Sequence, residues 1–296
     1  MRENRGFPWY GTAGLLLMAG GIGAVLGTGW WFPHVYFTPL MWTGYLLAAD
    51  ALLFRREGVS WLRPLPGRFL FLLPVSLLFW LLFEAYNLHL RNWTYVGLPE
   101  SLPLKLLGYG WSFATIWPAL FLTADLLESF GLRREGPPLR VTPRLKRWWL
   151  ASGLLLALVP LLLPSFLAAY TFAIVWVAYV PLVEPLLHGQ EDVPSLLGDL
   201  GRGDRTRWWS LGTGGIVCGL LWESWNMLAA ARWIYIFPLF QDVKLFEMPL
   251  PGFLGFIPFA WEAWSLYALA LWALNRMTRR SFGGVSGPPP LPSRRG

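Results

Sequence analysis

Phe83-Glu84-Ala85-Tyr86-Asn87 and Trp222-Glu223-Ser224-Trp225-Asn226 each place a carboxylate and an amide three residues apart inside a long apolar run. The same features follow both: Trp93-Thr94-Tyr95 then Pro103-Leu104 in one case, Trp233-Ile234-Tyr235 then Pro249-Leu250 in the other. Aligned leucines mean little between two apolar segments, but carboxylates and amides are costly in hydrocarbon and rarely coincide by chance. The two stretches therefore predict an internal duplication. Upstream, at an offset of 134, the match continues, with Trp42, Tyr45, Asp50 and Leu53 lying over Trp176, Tyr179, Glu184 and Leu187.

The composition around these stretches points to lipid. Of 296 residues 55% are hydrophobic and 14% charged, against roughly 25% charged in a soluble domain. Thirty-one glycines and 25 prolines are tolerated in membrane helices, and the 20 tryptophans suit positions where an apolar body meets a wet edge. The net charge of +7 does not predict a nucleic-acid partner, because the basic residues fall in short segments between apolar runs and form no basic face. A lone cysteine, Cys218, rules out an intrachain disulfide and reads as a small core residue.

Stretches long enough to cross roughly 30 Å of hydrocarbon occur at about 10–31, 36–54, 68–90, 104–127, 148–165, 167–188, 208–229 and 252–275. The fifth and sixth adjoin, and Pro160, Pro164 and Ser165 mark the turn between them. With the N-terminus inside, 20 Lys and Arg fall on the inner side, and only Arg91, Lys105, Arg232 and Lys244 on the outer. Residues 1–31 read as the first helix and not a signal peptide, since no small-residue cleavage site precedes Trp30 and Trp31. The expected fold is an all-α polytopic membrane bundle of about eight transmembrane helices, built as two parallel four-helix repeats. These are residues 1–130 and 148–280, joined by a basic cytoplasmic linker at 131–147 and followed by a disordered cytoplasmic tail at 281–296. An even number of spans per unit relates the copies by an axis along the membrane normal, and their third helices face a shared centre. The expected location is a bacterial inner membrane with both termini cytoplasmic.

Six carboxylates fall within the predicted spans. Glu84 and Glu223 lie about two turns short of the outer surface and Glu262 enters from the same side, whereas Asp50, Asp125 and Glu184 lie nearer the cytoplasm. The i,i+3 spacing stacks Asn87 on Glu84 and Asn226 on Glu223, so that the amide can orient the carboxyl. A carboxyl in an apolar pocket is favoured in its uncharged form, which makes it a candidate general acid. The aromatics Trp80, Tyr86, Trp222, Trp225, Trp261 and Trp264, with Trp93, Tyr95, Trp233 and Tyr235 in the outer loops, offer faces that stabilise cations. The competing reading makes the Glu and Asn pairs interhelical glue and the aromatics core or interfacial anchors. His34, His89 and His188 are too scattered for a metal site, and no nucleotide fingerprint is present, so no cofactor or metal is expected. Acid–base work on a lipid-soluble olefin remains the expected chemistry if the chain is an enzyme.

The run from Trp225-Asn226 through Trp233-Ile234-Tyr235 to Met248-Pro249-Leu250 resembles the membrane lycopene cyclases of the heterodimeric bacterial and fused fungal type. That family shows Trp-Asp, then Trp-x-Tyr, then Gly-x-Pro-x-Glu-Glu. The first half here offers Tyr86-Asn87, Trp93-Thr94-Tyr95 and Gly97-Leu98-Pro99-Glu100, with Ser101 where the second Glu stands. Pro249-Leu250-Pro251 lacks both acids and Asn replaces the family's Asp in each half, so the family's acid pair does not carry over. The Trp222-Glu223 pair is similar to the Trp-Glu element of integral-membrane meroterpenoid cyclases, and the outer aromatic and Gly-Pro segments to those of membrane carotenoid hydratases. The resemblance implies a reaction begun by protonation, with Glu84 or Glu223 as acid and a hydrophobic isoprenoid as substrate. Two further classes stay open: a proton-coupled transporter or lipid-handling protein using Glu84, Glu223 and Glu262, and a non-catalytic subunit of a membrane complex.

Overall fold

The computed structural model describes residues 5–63 and 67–278, which form a mainly helical bundle with a few short strands. The tail expected at 281–296 lies outside the described residues. In chain order the first half comprises α1 (Trp9–Gly27), α2 (Trp31–Val35), α3 (Phe37–Glu57), α4 (Gly67–Leu90), strand β1 (Trp93–Val96), α5 (Leu102–Ala114) and α6 (Ile116–Ser129). The second comprises α7 (Pro143–Leu162), α8 (Ser165–Ala168), α9 (Phe172–Val175), α10 (Tyr179–Leu187), α11 (Leu196–Arg202) and α12 (Thr206–Leu228). It continues through β2 (Arg232–Tyr235), β3 (Lys244–Leu245), β4 (Met248–Pro249), a 3₁₀ segment (Leu250–Gly255) and α13 (Phe256–Thr278).

Five helices are long and apolar enough to cross a membrane: α1, α3, α4, α7 and the 3₁₀ segment with α13. A sixth is reached if the pieces Ser165–Val175 and Tyr179–Leu187, bent by 48°, are taken as one span. Helix α12 is outside that set although it has 23 residues; Arg207, Glu223, Asn226 and several glycines dilute its apolar character. The stretch at 104–127 is divided at Thr115 into α5 and α6. The long apolar run at 148–188 turns between Leu162 and Ser165, where Pro164 cannot continue a helix.

Exposed leucines and tryptophans cover the outer faces of several helices, including Leu15, Leu16, Leu78, Leu81, Leu154 and Leu155, as expected for a bundle solvated by lipid. Small residues set the closest helix contacts, since packing in lipid is driven by shape and not by exclusion of water. At the α1–α3 crossing, a Cβ on Gly14 would lie 2.5 Å from the Gly44 carbonyl and one on Gly44 would lie 2.7 Å from the Gly14 carbonyl.

The two halves meet in a two-stranded antiparallel ribbon. Strand β1 pairs with β2 so that Trp93 faces Tyr235 and Tyr95 faces Trp233. Each strand follows directly on the helix that carries a buried glutamate, and in each case the asparagine forms the joint. Asn87 Oδ1 accepts the backbone N–H groups of Asn92 (2.8 Å) and Trp93 (3.2 Å), and its Nδ2 donates to the Trp93 carbonyl at 2.9 Å. Asn226 accepts from Trp233 N at 3.0 Å and donates to its carbonyl at 2.9 Å. This corrects the expected role of both amides: they clamp the helix-to-strand turn and hydrogen-bond no carboxylate. Arg91, at the corner of the first turn, takes the left-handed conformation (φ 52°), which costs a non-glycine residue about 1–2 kcal/mol and is offset by the Asn87 clamp.

Candidate active site

The carboxylates inside the bundle fall into two groups by place. Asp50 accepts from Tyr10 Oη (2.8 Å), Ser60 Oγ (2.6 Å) and Trp61 N (2.6 Å). Glu184 accepts from Ser195 Oγ (2.8 Å), Leu197 N (2.9 Å) and Ser265 Oγ (2.8 Å). Asp125 binds Trp61 Nε1 and the Arg207 guanidinium, both at 2.8 Å, and Arg207 also pairs with Glu128 at 3.2 Å. Each of these three acids ties a helix to a following loop or to a neighbouring helix, which is structural work.

The second group stands near the ribbon. Glu84 Oε1 accepts from Trp80 Nε1 at 2.9 Å, Trp93 Nε1 at 3.2 Å and Tyr95 Oη at 2.5 Å. Glu223 Oε1 accepts from Tyr235 Oη at 2.9 Å, and Trp233 Nε1 donates to that same phenol at 3.1 Å. Glu223 is fully buried and its Oε2 has no hydrogen-bond partner.

Beside these acids lies a cavity of about 170 Å³. Six of the ten aromatics expected to offer cation-stabilising faces line it, Trp80, Trp93, Tyr95, Trp222, Trp233 and Tyr235, while Trp264 is buried against Phe121. The ribbon supplies four of them, because alternate strand residues share a face and Trp-x-Tyr turns both its aromatics the same way. Deeper, Phe83 stacks on Trp176 (4.7 Å between ring centroids), and Phe259 packs edge-on against Trp176 (5.1 Å) and Trp117 (5.6 Å).

Several expected residues lie elsewhere. Glu84 and Glu223 do not line the cavity; they sit behind its wall and reach it only through Tyr95 and Tyr235, which corrects the expectation that either carboxyl meets a ligand directly. Glu262 is also off the cavity, one turn along α13 from the lining residue Phe259; its Oε1 accepts from Tyr179 N at 2.7 Å and its Oε2 is unpartnered. Tyr86 donates to the Ala157 carbonyl and meets Tyr179 Oη at 3.1 Å, joining α4 to α7 and α10. Trp225 packs at 4.7 Å against Trp42. Trp261 stacks at 3.9 Å on Trp208 and donates to its carbonyl. Those three aromatics are packing residues, not cavity lining.

Lining residues that the sequence reading did not single out include Tyr36, Tyr109, Phe113, Phe172 and Phe259, with Lys105 and Arg232 among them. Trp42 and Trp176 also line the cavity, and their alignment across the halves was the available signal. Among the described residues, no three His, Cys, Asp or Glu gather as metal ligands. No protein-family model, curated protein or solved structure matches the chain.

Proposed function

We propose that this protein is an integral-membrane isoprenoid- or carotenoid-modifying enzyme that starts cyclisation or hydration by protonating an olefin or epoxide. The observation carrying this reading is the chain Trp233 to Tyr235 to Glu223: a cavity-wall phenol hydrogen-bonded to a fully buried carboxyl that keeps one oxygen without a partner. With Glu223 protonated, its carboxyl O–H turns to donate to Tyr235 and frees the phenol proton; Tyr235 gives that proton to the alkene carbon, and the π pair becomes the new C–H bond. Tyr235 then takes the proton of the Glu223 carboxyl, leaving a carboxylate. The cation left on the neighbouring carbon is held by the faces of Trp80, Trp93 and Trp222. Ring closure with proton loss, or capture of water with proton loss, returns a proton along the same path and restores the enzyme.

The cavity's size supports an end-group reaction. An apolar cavity of about 150 Å³ accepts benzene, so this one suits one ring or its acyclic precursor, with the rest of a long chain outside. The membrane arrangement that accommodates these features is the eight-span one, in two four-helix units with both termini cytoplasmic. Two paired details support it besides the 20-to-4 charge split: the ribbon, and the similar clasps that Asp50 and Glu184 make on Ser60-Trp61 and Ser195 to Leu197.

The test is turnover in deuterated water. Purified protein in lipid nanodiscs is supplied with acyclic isoprenoid olefins, their epoxides and an acyclic carotenoid, and the products are analysed by mass spectrometry. A cyclised or hydrated product carrying one carbon-bound solvent deuterium per protonation supports the reading. No product from any of the three classes, with proton-coupled flux in proteoliposomes instead, would overturn it in favour of a transporter.

A further inference from the structure

Two cations stand in the cavity lining without being required by the duplicated architecture. Lys105 and Arg232 both line it, whereas the aligned positions in the opposite halves hold Pro251 and Asn92. A basic side chain beside an apolar, membrane-embedded pocket is costly unless something offsets its charge. Among the described residues Lys105 has no ion-pair partner. Arg232 has only Glu247, 3.7 Å from its Nε, and that buried Nε makes no hydrogen bond. A third donor is in the same lining: Thr38 is 5% exposed, and its Oγ1 is buried and unpartnered. The hydroxyl of Tyr36 donates to the Leu104 carbonyl at 2.9 Å, fixing the α2–α3 corner against the residue before Lys105.

Aromatic walls with two cations and a spare hydroxyl fit a ligand with an apolar body and an anionic head. Two positive charges match a phosphate better than a singly charged carboxylate, and the guanidinium fork suits its oxygens. We infer that the cavity selects an isoprenoid bearing a phosphate-type head, held by Lys105 and Arg232 while the chain lies against the aromatic walls. This rests on the isoprenoid reading above and narrows it, because a neutral hydrocarbon gives these cations nothing to bind. Asymmetry follows as well: with both charges provided once, the ligand has one orientation in a pocket whose walls are nearly duplicated.

The experiment is a titration in detergent read by quenching of the cavity tryptophans, with farnesyl phosphate, farnesol, inorganic phosphate and phosphatidylglycerol micelles as separate probes. In the unmodified protein farnesyl phosphate is expected to bind at least about ten-fold tighter than farnesol, the effect of one charge-assisted contact. The Lys105→Gln/Arg232→Gln double variant loses that preference and keeps its farnesol affinity, which also reports that the cavity is intact. Lys105→Arg retains the preference, and Glu247→Gln, which frees Arg232 of its only acid, increases it. Equal affinities for the two farnesyl probes, or a preference that survives in the double variant, would sink the inference and leave the isoprenoid reading standing. Binding of neither farnesyl probe removes both. Binding of phosphatidylglycerol alone assigns the cations to a membrane phospholipid, and binding of inorganic phosphate as tight as farnesyl phosphate removes the chain from recognition; either result overturns the inference.

Discussion

Glu84 and Glu223 occupy equivalent places in the two halves, each one helical turn before the asparagine that clamps the ribbon, yet their surroundings differ. One oxygen of Glu84 collects three donors, Trp80, Trp93 and Tyr95. Glu223 Oε1 accepts from Tyr235, Trp233 donates to that phenol, and the position matching Trp80 is Gly219. The missing indole has a steric cause: a Cβ on Gly219 would lie 2.3 Å from the Phe256 ring, so α13 can approach α12 there only if no side chain intervenes. The difference in packing gives Glu84 three donors, all on Oε1, and leaves Glu223 with a buried Oε2 that no donor reaches. Under the proposed mechanism Glu223, with its buried unpartnered oxygen, is the acid of the pair and Glu84 holds the wall.

The sharpest way to break this comparison is to neutralise each acid in turn. Glu223→Gln is expected to lower product formation by about 10²-fold or more, the usual contribution of a general acid, while Glu84→Gln lowers it less than about ten-fold. Equal losses in the deuterium assay would erase the distinction. Next is Gly219→Ala, which forces the Phe256 ring out of its contact with α12. Overpacking of this kind costs about 1–3 kcal/mol, seen as a lower midpoint in detergent thermal unfolding, together with weaker farnesol binding, because Phe256 lines the cavity. The smallest expected effect is that of Trp80→Phe. It removes one of three bonds to Glu84 for about 0.5–1.5 kcal/mol, with the Glu223-dependent reaction largely retained because Phe keeps an aromatic face on the cavity; a loss matching Glu223→Gln would make the Trp80–Glu84 bond itself part of the chemistry.

Much of the helical bundle was legible because its signals are costly residues and long apolar runs. The turn at Pro164, the buried acids and the paired Trp-x-Tyr segments could all be read directly from the residues. What could not be read was the partner of each polar group. The spacing that puts Asn87 one turn from Glu84 is equally satisfied by an amide reaching forward to the backbone of Asn92 and Trp93, and that choice depends on a turn whose geometry no local pattern specifies. Trp261 and Trp225 have the composition of site residues but face Trp208 and Trp42, since helix rotation is set by packing against neighbours far away in sequence. Lys105 and Arg232 were counted only as exceptions to the charge bias, and their common place at one cavity emerges only when α5 and β2 are brought together.

The ribbon's register has a consequence for how such a chain could have arisen. Trp93 faces Tyr235 and Trp233 faces Tyr95, so the pairing reads the same from either strand and either copy of Trp-x-Tyr can play either part. A protein carrying a single such unit could form this ribbon with a second molecule of itself, as a symmetric homodimer with two identical acids. Fusing the units leaves the pairing unchanged and lets selection act on each half independently. Unequal surroundings for the two glutamates are open to a single chain carrying both units and closed to a symmetric dimer of one.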